Sequence, residues 1–416
     1  MLIPSIDLLD GKAVQLQQGK AEKKIIEKDD VFALLEEFSL YGEVAIIDLN
    51  AALGTGNNQK LIEQMLRKTP CRVGGGIRDL KTAKAYLAAG ASKIILGTAA
   101  NAAFVKKLPK QSLVFAIDAK GDNLTTHGWQ QTQEKKIVDI IPEMAKNCGE
   151  FLYTQVEKEG MMAGIDKMRI SQIIKASPIT VTVAGGISSY EDLQWIHKRG
   201  GNSQIGMAIY SGKMNLDKAL ISLVDFNKID LIPTIVQDRK THKVLMMAYS
   251  SKESLKLALT QKTGTFYSRS RQELWTKGLT SGNTQKLIAV DIDCDGDALL
   301  FQVEQSGNAC HFDRYSCFAS QSKQYSLEYL DGLFDGRIKG ANKDNSQTFT
   351  QKLFASPSLQ IEKLKEECQE LIDATEHNHV RWEAADLLFF TMVMAKSKGV
   401  SIAEIVNDLR SRNNER

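Results

Sequence analysis

The feature that most constrains the fold of this chain is an internal repeat in its first half. Residues 5–7 (Ser-Ile-Asp) recur as residues 116–118 (Ala-Ile-Asp), 111 positions later. Residues 75–77 (Gly-Gly-Ile) recur as residues 185–187, 110 positions later. Two similar segments of this length predict a domain built from two related halves.

Short apolar runs alternate with helical patterns throughout this half. Eight runs have the character of buried strands: residues 3–6, 44–47, 71–73, 93–96, 113–117, 151–153, 180–183 and 204–205. Strands separated by helices are typical of parallel βα units. Eight such units in about 225 residues predict a (β/α)8 TIM barrel over residues 1–225, with four units in each half.

The pattern changes in the middle of the chain. Residues 234–237 and 244–249 are strand-like and flank a polar turn, which predicts a hairpin, and residues 252–261 predict a helix. Further strand-like runs continue through residues 301–304. Residues 227–325 are therefore predicted to form a compact α+β domain.

The rest of the chain, residues 326–416, is predicted to be an all-α domain. From residue 358 onward, apolar side chains recur at helical spacing. Residues 384–395 are apolar almost all round, which predicts a helix buried on every side.

Composition narrows the classes of function. The 416 residues carry a formal net charge of only +3, which argues against bulk electrostatic binding of nucleic acid but allows a local phosphate pocket. No run of about 18 apolar residues is present to span a bilayer. Residues 1–7 indicate a first strand and not a signal peptide. We therefore expect a cytoplasmic protein that binds phosphorylated small molecules, without nucleic-acid or membrane partners.

The repeat places matched groups at the predicted barrel mouth. Asp7 and Asp118 end the first and fifth strands on opposite sides of the rim, where two carboxylates can act as an acid–base pair. Glycines follow strands 3 and 7, and a glycine opens the helix after strands 4 and 8, where anions are favoured. One Gly-Gly pair would indicate only a tight turn, but its duplication predicts two phosphate sites. Their residues are Gly75, Gly76, Gly97, Thr98, Gly185, Gly186, Gly206 and Met207.

Three cysteines cluster in the middle domain. Cys294, Cys310 and Cys317 would supply three thiolates and leave one open position, as in a catalytic zinc site. His311 follows one of these ligands directly and could serve as an acid or base beside a metal-bound water. Taken alone, the cysteines could equally be ordinary core residues.

Three aspartates alternate around the first of these cysteines. On an extended strand, Asp293, Asp295 and Asp297 would share one face and Cys294 would point to the other. One strand could then offer carboxylates to Mg²⁺ and a thiolate to Zn²⁺. The alternative is a polar turn without a metal.

The tail carries two groups of carboxylates at helical spacing. Glu366 and Glu367 both neighbour Glu370 across one turn, and Glu383 and Asp386 share one face of a second helix. Two facing helices would bring these groups together, and Mg²⁺ would offset their mutual repulsion. For the first group alone, a solvated acidic face explains the pattern as well.

Short motifs surround the predicted ligands of the middle domain: residues 267–278, 280–283, 293–297, 303–305, 309–311 and 316–318. In order, and in the 16- and 7-residue cysteine spacings, they resemble phosphoribosyl-AMP cyclohydrolase of histidine biosynthesis. The resemblance implies that zinc hydroxide attacks C6 of the adenine ring. It also implies a dimer with metal ligands from both chains, and substrate binding by Arg269, Arg271, Trp275 and Lys277.

The tail motif Glu-Glu-x-x-Glu followed by Glu-x-x-Asp resembles the all-α nucleoside-triphosphate pyrophosphohydrolases. Residues 348–354, and the position directly after a cyclohydrolase-like domain, point to phosphoribosyl-ATP pyrophosphohydrolase. The sequence departs from that family at residues 344–347 and 365–368. A general pyrophosphatase for nucleoside triphosphates is the alternative.

The barrel segments 3–8, 73–78, 116–118, 128–129 and 184–187 resemble the isomerase that converts the aminoaldose of the same pathway into an aminoketose. The resemblance implies that Asp7 is the general base and Asp118 the acid. It gives Thr154 a supporting role and Arg78 a role in substrate or phosphate binding. Trp129 could stack on the substrate ring. The barrel departs from the isomerase family at residues 50–52, at residues 156–160 and at Gln15.

These three resemblances concern consecutive reactions. They predict a trifunctional enzyme of histidine biosynthesis that uses Zn²⁺ and Mg²⁺ and forms a homodimer through its cyclohydrolase and pyrophosphohydrolase domains. The main alternative keeps both hydrolases and makes the barrel an inactive binding or scaffolding module.

Overall fold

The computed structural model describes residues 1–16, 24–101, 103–120, 123–126, 131–155, 161, 164–318, 320, 326–339 and 348–412. The chain divides into two compact units. Residues 1–322 together with 408–416 form the first unit, and residues 323–407 form the second. The predicted barrel and middle domain therefore belong to a single unit.

Twelve strands in the first half form one sheet. They are β1 (Leu2–Leu9), β2 (Lys12–Leu16), β3 (Lys24–Lys28), β4 (Val44–Asp48), β5 (Cys71–Gly74), β6 (Lys93–Leu96), β7 (Leu113–Lys120), β8 (Asn123–Thr126), β9 (Gln131–Lys136), β10 (Glu150–Gln155), β11 (Thr180–Ala184) and β12 (Asn202–Ile205). Parallel pairing runs from β1 through β4, β5, β6, β7, β10, β11 and β12 and returns to β1. The sequence prediction of eight strands in a closed barrel is confirmed.

Two hairpins that the sequence pattern did not predict extend the barrel. Antiparallel pairing joins β1 to β2 and β3, and joins β7 to β8 and β9. Asp7 lies opposite Val14 in the first hairpin, and Asp118 lies opposite Thr125 in the second. The registers correspond between the two halves, so the duplication includes the hairpins.

Helices lie between most successive barrel strands: α1 (Val31–Phe38), α2 (Leu49–Leu53), α3 (Gln59–Lys68), α4 (Leu80–Ala89), α5 (Ile137–Met144), α6 (Lys167–Ala176), α7 (Tyr190–His197), α8 (Met207–Tyr210) and α9 (Leu216–Leu223). Between β6 and β7, the described residues form 3-10 turns in place of the predicted α-helix. Polar side chains cap several N-termini, among them Asp79 on α4 and Ser189 on α7. Ile95, Val114 and Leu152 form a small buried cluster separate from the main apolar core.

The middle domain contains β13 (Ile232–Asp238), β14 (Val244–Ser250), α10 (Lys252–Gln261), β15 (Thr265–Ser268), β16 (Glu273–Thr276), β17 (Gln285–Ile292) and β18 (Leu299–Gln305). The sheet order is β16-β15-β14-β13-β18-β17, and β13 and β18 are parallel. The predicted hairpin and the predicted helix over residues 252–261 are both confirmed.

The middle domain packs against the barrel. Asp217 of α9 accepts hydrogen bonds from Tyr41 of the barrel at 2.8 Å and from Thr260 of α10 at 3.4 Å. One continuous apolar core includes Leu220 of the barrel together with Leu255 and Val290 of the middle domain. Shared burial of this kind resists separation of the two domains.

The second unit is helical. It contains α11 (Leu327–Lys339), α12 (Phe349–Ala355), α13 (Pro357–Asp373), α14 (His377–Ser397) and the start of α15 (Ile402–Arg412). Phe334, Leu353, Phe390 and Val393 lie in its core. Among the described residues, no helix is long and apolar enough to cross a membrane.

The prediction that residues 384–395 are buried on every side is wrong. Within α14, Phe390, Met392 and Val393 are buried, but Leu388 is 44% exposed. The neighbouring Trp382 is 68% exposed. The apolar core of this unit covers only part of the surface of α14.

Candidate active sites

The barrel mouth carries the two predicted carboxylates on strands four places apart in the ring of eight. Burial raises the pKa of Asp7 to about 6, although a hydrogen bond from Ser5 Oγ at 2.9 Å partly opposes this. Thr154 lies beside Asp118 in the register of β10 and β7. The predicted acid, its supporting residue and the predicted base thus lie on barrel strands.

The paired glycines adopt left-handed conformations, with φ of +94° and +66° at Gly75 and Gly76 and +80° at both Gly185 and Gly186. A Cβ at Gly75 would lie 2.3 Å from the Asp48 carbonyl oxygen. In the first half of the barrel, neighbouring backbone atoms therefore leave room only for glycine at these positions, whether or not a ligand binds there.

Arg78 lies near this turn. Its guanidinium donates hydrogen bonds to the carbonyl oxygens of Ala51 and Ala52 at 3.0 and 3.1 Å. The side chain therefore connects the turn after β5 to the segment after β4. If Arg78 also binds substrate, its guanidinium must divide its N–H donors between the substrate and these two carbonyl oxygens.

A polar network around the buried Asn50 explains the departure from the isomerase family at residue 50. Asn50 Nδ2 donates to Asp10 Oδ1 at 2.8 Å, and Asn50 Oδ1 accepts from the Asp10 N–H at 2.8 Å and from Asn58 Nδ2 at 2.9 Å. An aspartate at this position would lose the donor and face Asp10 with a like charge. The asparagine thus suits its surroundings.

The second pair of predicted phosphate glycines precedes short helical turns. Gly97 is followed by a 3-10 turn over Thr98–Asn101, and Gly206 is followed by the four-residue α8 that starts at Met207. A Cβ at Gly206 would lie 2.9 Å from the buried Gln15 Nε2. Trp129, and the variant loop at 156–160, lie outside the described residues.

The aspartates of the middle domain lie in a loop after β17, so the prediction of a single extended strand is wrong. Asp293 Oδ1 accepts hydrogen bonds from the N–H groups of Gly296, Asp297 and Ala298 at 3.0–3.1 Å, and Gly296 adopts φ +80°. This turn, and not strand alternation, brings carboxylate oxygens of Asp293, Asp295 and Asp297 within 4.8 Å of one another.

Two of the three predicted zinc ligands lie side by side. A hydrogen bond links the side chains of Cys310 and Cys317. The Phe312 N–H and the Arg314 side chain lower the pKa of Cys310, whereas burial and the neighbouring Cys310 raise that of Cys317. A lowered pKa favours the thiolate that binds zinc.

The third predicted ligand, Cys294, is exposed and contacts Asp295 Oδ1 at 3.8 Å. Within the described part of the chain, it joins no group of potential ligands with Cys310 and Cys317. One chain therefore does not assemble the three-thiolate site that the cysteine spacing suggested.

The predicted substrate-binding residues of the middle domain differ in their exposure and contacts. Lys277 is buried, donates to the Asn283 carbonyl oxygen at 3.2 Å and has a pKa lowered by burial, which the nearby cysteines partly oppose. The Arg269 guanidinium lies 3.8 Å from the centre of the Tyr249 ring. Three other predicted residues occupy partly or fully exposed positions, namely Arg271, Trp275 and His311.

The tail carboxylates meet between α13 and α14. Oxygens of Glu367, Glu383 and Asp386 lie within 4.8 Å of one another. Burial raises the pKa of Glu367, with Asp386 the next cause, and burial and the neighbouring Glu383 raise that of Glu370. Glu366 instead pairs with Lys363 at 2.7 Å.

Comparison with known families agrees with this geometry. Residues 1–215, half of the chain, match a family described as histidine biosynthesis protein. The chain belongs to the histidine biosynthesis protein family. Residues 246–319 match phosphoribosyl-AMP cyclohydrolase, and residues 332–413 match phosphoribosyl-ATP pyrophosphohydrolase. The three resemblances noted in the sequence are confirmed, in the same domain order.

Individual relatives match separate parts of this histidine biosynthesis protein. An imidazole-4-carboxamide isomerase of Methanocaldococcus jannaschii is 35% identical over 231 residues, which cover 53% of this chain and 98% of that enzyme. The bifunctional protein HisIE of Caldanaerobacter subterraneus is 40% identical over 200 residues, 46% of this chain and 97% of that protein.

A longer relative is matched only in part. The histidine biosynthesis trifunctional protein of Kluyveromyces lactis is 36% identical over 215 residues, 50% of this chain. The chain spans 26% of the length of that relative. The domains of the present chain are therefore better compared with the shorter isomerase and HisIE proteins.

Proposed function

We propose that this chain catalyses three consecutive reactions. It would release pyrophosphate from phosphoribosyl-ATP, open the adenine ring of phosphoribosyl-AMP and isomerise the resulting aminoaldose to an aminoketose. One observation carries the proposal: each of the three family domains presents its own group of ionisable side chains, on the barrel strands, in the middle domain and between α13 and α14.

In the barrel, Asp7 would take the proton from the sugar carbon and Asp118 would protonate the ring oxygen. A base must be deprotonated to act, and the pKa of Asp7, about 6, keeps it largely ionised at neutral pH while leaving it a useful basicity. Thr154, beside Asp118, would hold that side chain in place. The glycine turns would bind the two phosphates.

In the middle domain, Cys310 and Cys317 suit zinc because their sulfurs are adjacent and Cys310 has a lowered pKa. Bound zinc would acidify a water for attack on the adenine ring. Lys277 would hold an anionic group of the substrate, and the 293–297 loop would hold Mg²⁺. The third thiolate, Cys294, would come from a second copy of the chain.

In the tail, Glu367, Glu383 and Asp386 suit Mg²⁺ because three carboxylates in close contact need a cation between them. Bound Mg²⁺ would neutralise the pyrophosphate that leaves. The exposed Trp382 and Leu388 would lie in the contact of a homodimer. All six cysteines are free, which suits the reducing cytoplasm that we propose as the compartment.

The first experiment follows the products of phosphoribosyl-ATP with the zinc- and magnesium-loaded protein by chromatography. Accumulation of the aminoketose supports all three activities. Accumulation of the aminoaldose contradicts the isomerase assignment and favours the alternative, an inactive barrel beside two working hydrolases. If the aminoketose forms, Asp7→Asn and Asp118→Asn should each stop only the isomerisation.

A second experiment tests the shared zinc site. Cys294→Ser and Cys310→Ser chains are each expected to be inactive in ring opening. A mixed dimer regains one complete site, so random mixing should restore about a quarter of wild-type ring opening. No recovery, with mixed dimers demonstrated by mass spectrometry, would show that the ligands are not contributed across chains.

A further inference from the structure

The carboxylate loop of the middle domain, residues 293–297, is held from behind by the last part of the barrel. The Gly296 carbonyl oxygen accepts a hydrogen bond from the Asp225 N–H at 2.9 Å. A Cβ added at Gly296 would lie 2.6 Å from the Leu223 carbonyl oxygen and 3.6 Å from His197 Nε2. The loop therefore lies directly on the ends of α7 and α9.

A charged contact follows immediately along the chain. Lys228 Nζ lies 3.7 Å from Asp297 Oδ2. Lys228 is exposed and its contribution to stability is small, but it places a positive charge beside the outermost carboxylate of the loop. Backbone hydrogen bonding and close steric contact thus connect the barrel end to the loop, and Lys228, three residues beyond the barrel, adds a charge.

The contact with the barrel end is important because of the composition of the 293–297 loop. Three carboxylates within 4.8 Å repel one another, and a glycine in their midst allows the backbone many conformations. The hydrogen bonds to Asp293 Oδ1 hold the turn, but repulsion still favours a more open loop without a cation, and cation binding would have to reverse that opening. A contact that fixes the backbone beforehand removes part of this cost.

We propose that the barrel serves as a positioning element for the cyclohydrolase domain, by clamping the backbone of the 293–297 loop through the Asp225 N–H and the Leu223 carbonyl. The barrel contributes no ligand. It fixes the loop so that its carboxylates are arranged before the cation binds. This inference rests on the proposed cyclohydrolase function and assigns the fused barrel a role in the chemistry of its neighbour.

Asp225→Pro removes the clamping N–H. The preceding Val224 has ψ 130°, the extended conformation that a following proline prefers, and the Asp225 carbonyl can still accept from Lys228 and Ile229. Asp225→Ala is the matched control because it removes the same side chain and keeps the N–H.

Gly296→Ala tests the clamp independently, because its methyl group would collide with the Leu223 carbonyl oxygen at 2.6 Å. Gly200→Ala is its control. Gly200 has a similar φ of +76°, and an added Cβ there meets nothing within 4 Å. The two variants share the cost of a left-handed alanine, and only the first disturbs the clamp.

Binding of Mn²⁺ to the full-length chain is measured by electron paramagnetic resonance, with Glu383→Gln and Asp386→Asn in every sample to silence the tail site. Asp295→Asn identifies the signal that belongs to the loop. Since the clamp is one hydrogen bond and one close contact, Asp225→Pro and Gly296→Ala should each weaken Mn²⁺ binding about five-fold or more relative to their controls. In the chain with an intact tail, kcat for ring opening should fall while KM for phosphoribosyl-AMP stays the same.

Equal Mn²⁺ affinity in clamp variants and controls, at unchanged melting temperature, overturns the proposal. If either clamp variant unfolds, the other still decides the outcome. A third outcome separates the two proposals. If the clamp variants weaken Mn²⁺ binding to the loop but the wild-type protein does not open the adenine ring, the clamp is supported and the cyclohydrolase function is contradicted. Mn²⁺ that persists in Asp295→Asn contradicts the loop as a cation site and the clamp with it.

Discussion

Replacing Arg72 should destabilise the barrel strongly. Its side chain is fully buried, with Nε 2.8 Å from Glu43 Oε2 and Nη1 2.7 Å from Glu150 Oε1. Lys93 also contacts Glu150, but it is partly exposed. Arg72→Met would leave two carboxylates without the guanidinium that neutralises them, which costs about 3–5 kcal/mol.

Hydrogen exchange followed by mass spectrometry measures the stability of the barrel strands separately from that of the other domains. Because barrel strands exchange through unfolding, a loss of about 3–5 kcal/mol should accelerate exchange of β5 and β10 at least about a hundred-fold. Helices α13 and α14 serve as an internal control. Adding Glu43→Gln and Glu150→Gln to Arg72→Met removes the unpaired charges and should restore most of the protection.

The stability difference between wild type and Arg72→Met should depend on pH, and the pKa of Glu150 determines the direction. Burial raises the pKa of Glu150, but Arg72 and Lys93 outweigh it, so the pKa is below its ordinary value. The stabilisation from this pairing is present at neutral pH and is lost as pH falls through the folded-state pKa. The difference between wild type and Arg72→Met should therefore be complete above about pH 4.5, the ordinary pKa of a glutamate, and shrink below it. Equal exchange at neutral pH, or a difference that grows in acid, would refute the reasoning.

Three further predictions follow from single contacts. Isomerisation by the wild type should fall as pH drops through about 6, where Asp7 becomes protonated, while Asp7→Asn should be inactive throughout; a pH–rate profile tests this. Asn50→Asp should cost about 1–3 kcal/mol in thermal unfolding, because it removes the donor to Asp10 and adds repulsion; Asn57→Asp, on an exposed neighbour, is the control. Glu383→Gln should abolish pyrophosphate release and leave ring opening intact; equal loss of both activities would contradict separate sites.

Much of the fold could be predicted because local pattern and global fold agree. Apolar runs such as residues 93–96 and 180–183 became barrel strands since they are buried by their neighbours in the sheet. The hairpins after β1 and β7 were missed, although the repeat itself could have indicated them: Val14 and Thr125 occupy equivalent registers. The strands of the second hairpin are mostly polar and give no strand signal of their own, whereas those of the first contain Val14 and Ile26.

The sequence by itself determined the order of the elements, the two related halves of the barrel and the residue types available for chemistry, because these depend on spacing along the chain. Only the tertiary structure decided which groups meet. The turn at Gly296 gathers the three aspartates, Cys294 lies apart from Cys310 and Cys317, and the barrel end contacts the carboxylate loop. The hydrogen bond between Asp225 and Gly296 joins residues 71 positions apart (296 − 225), and it depends on how whole elements pack, which no local pattern encodes.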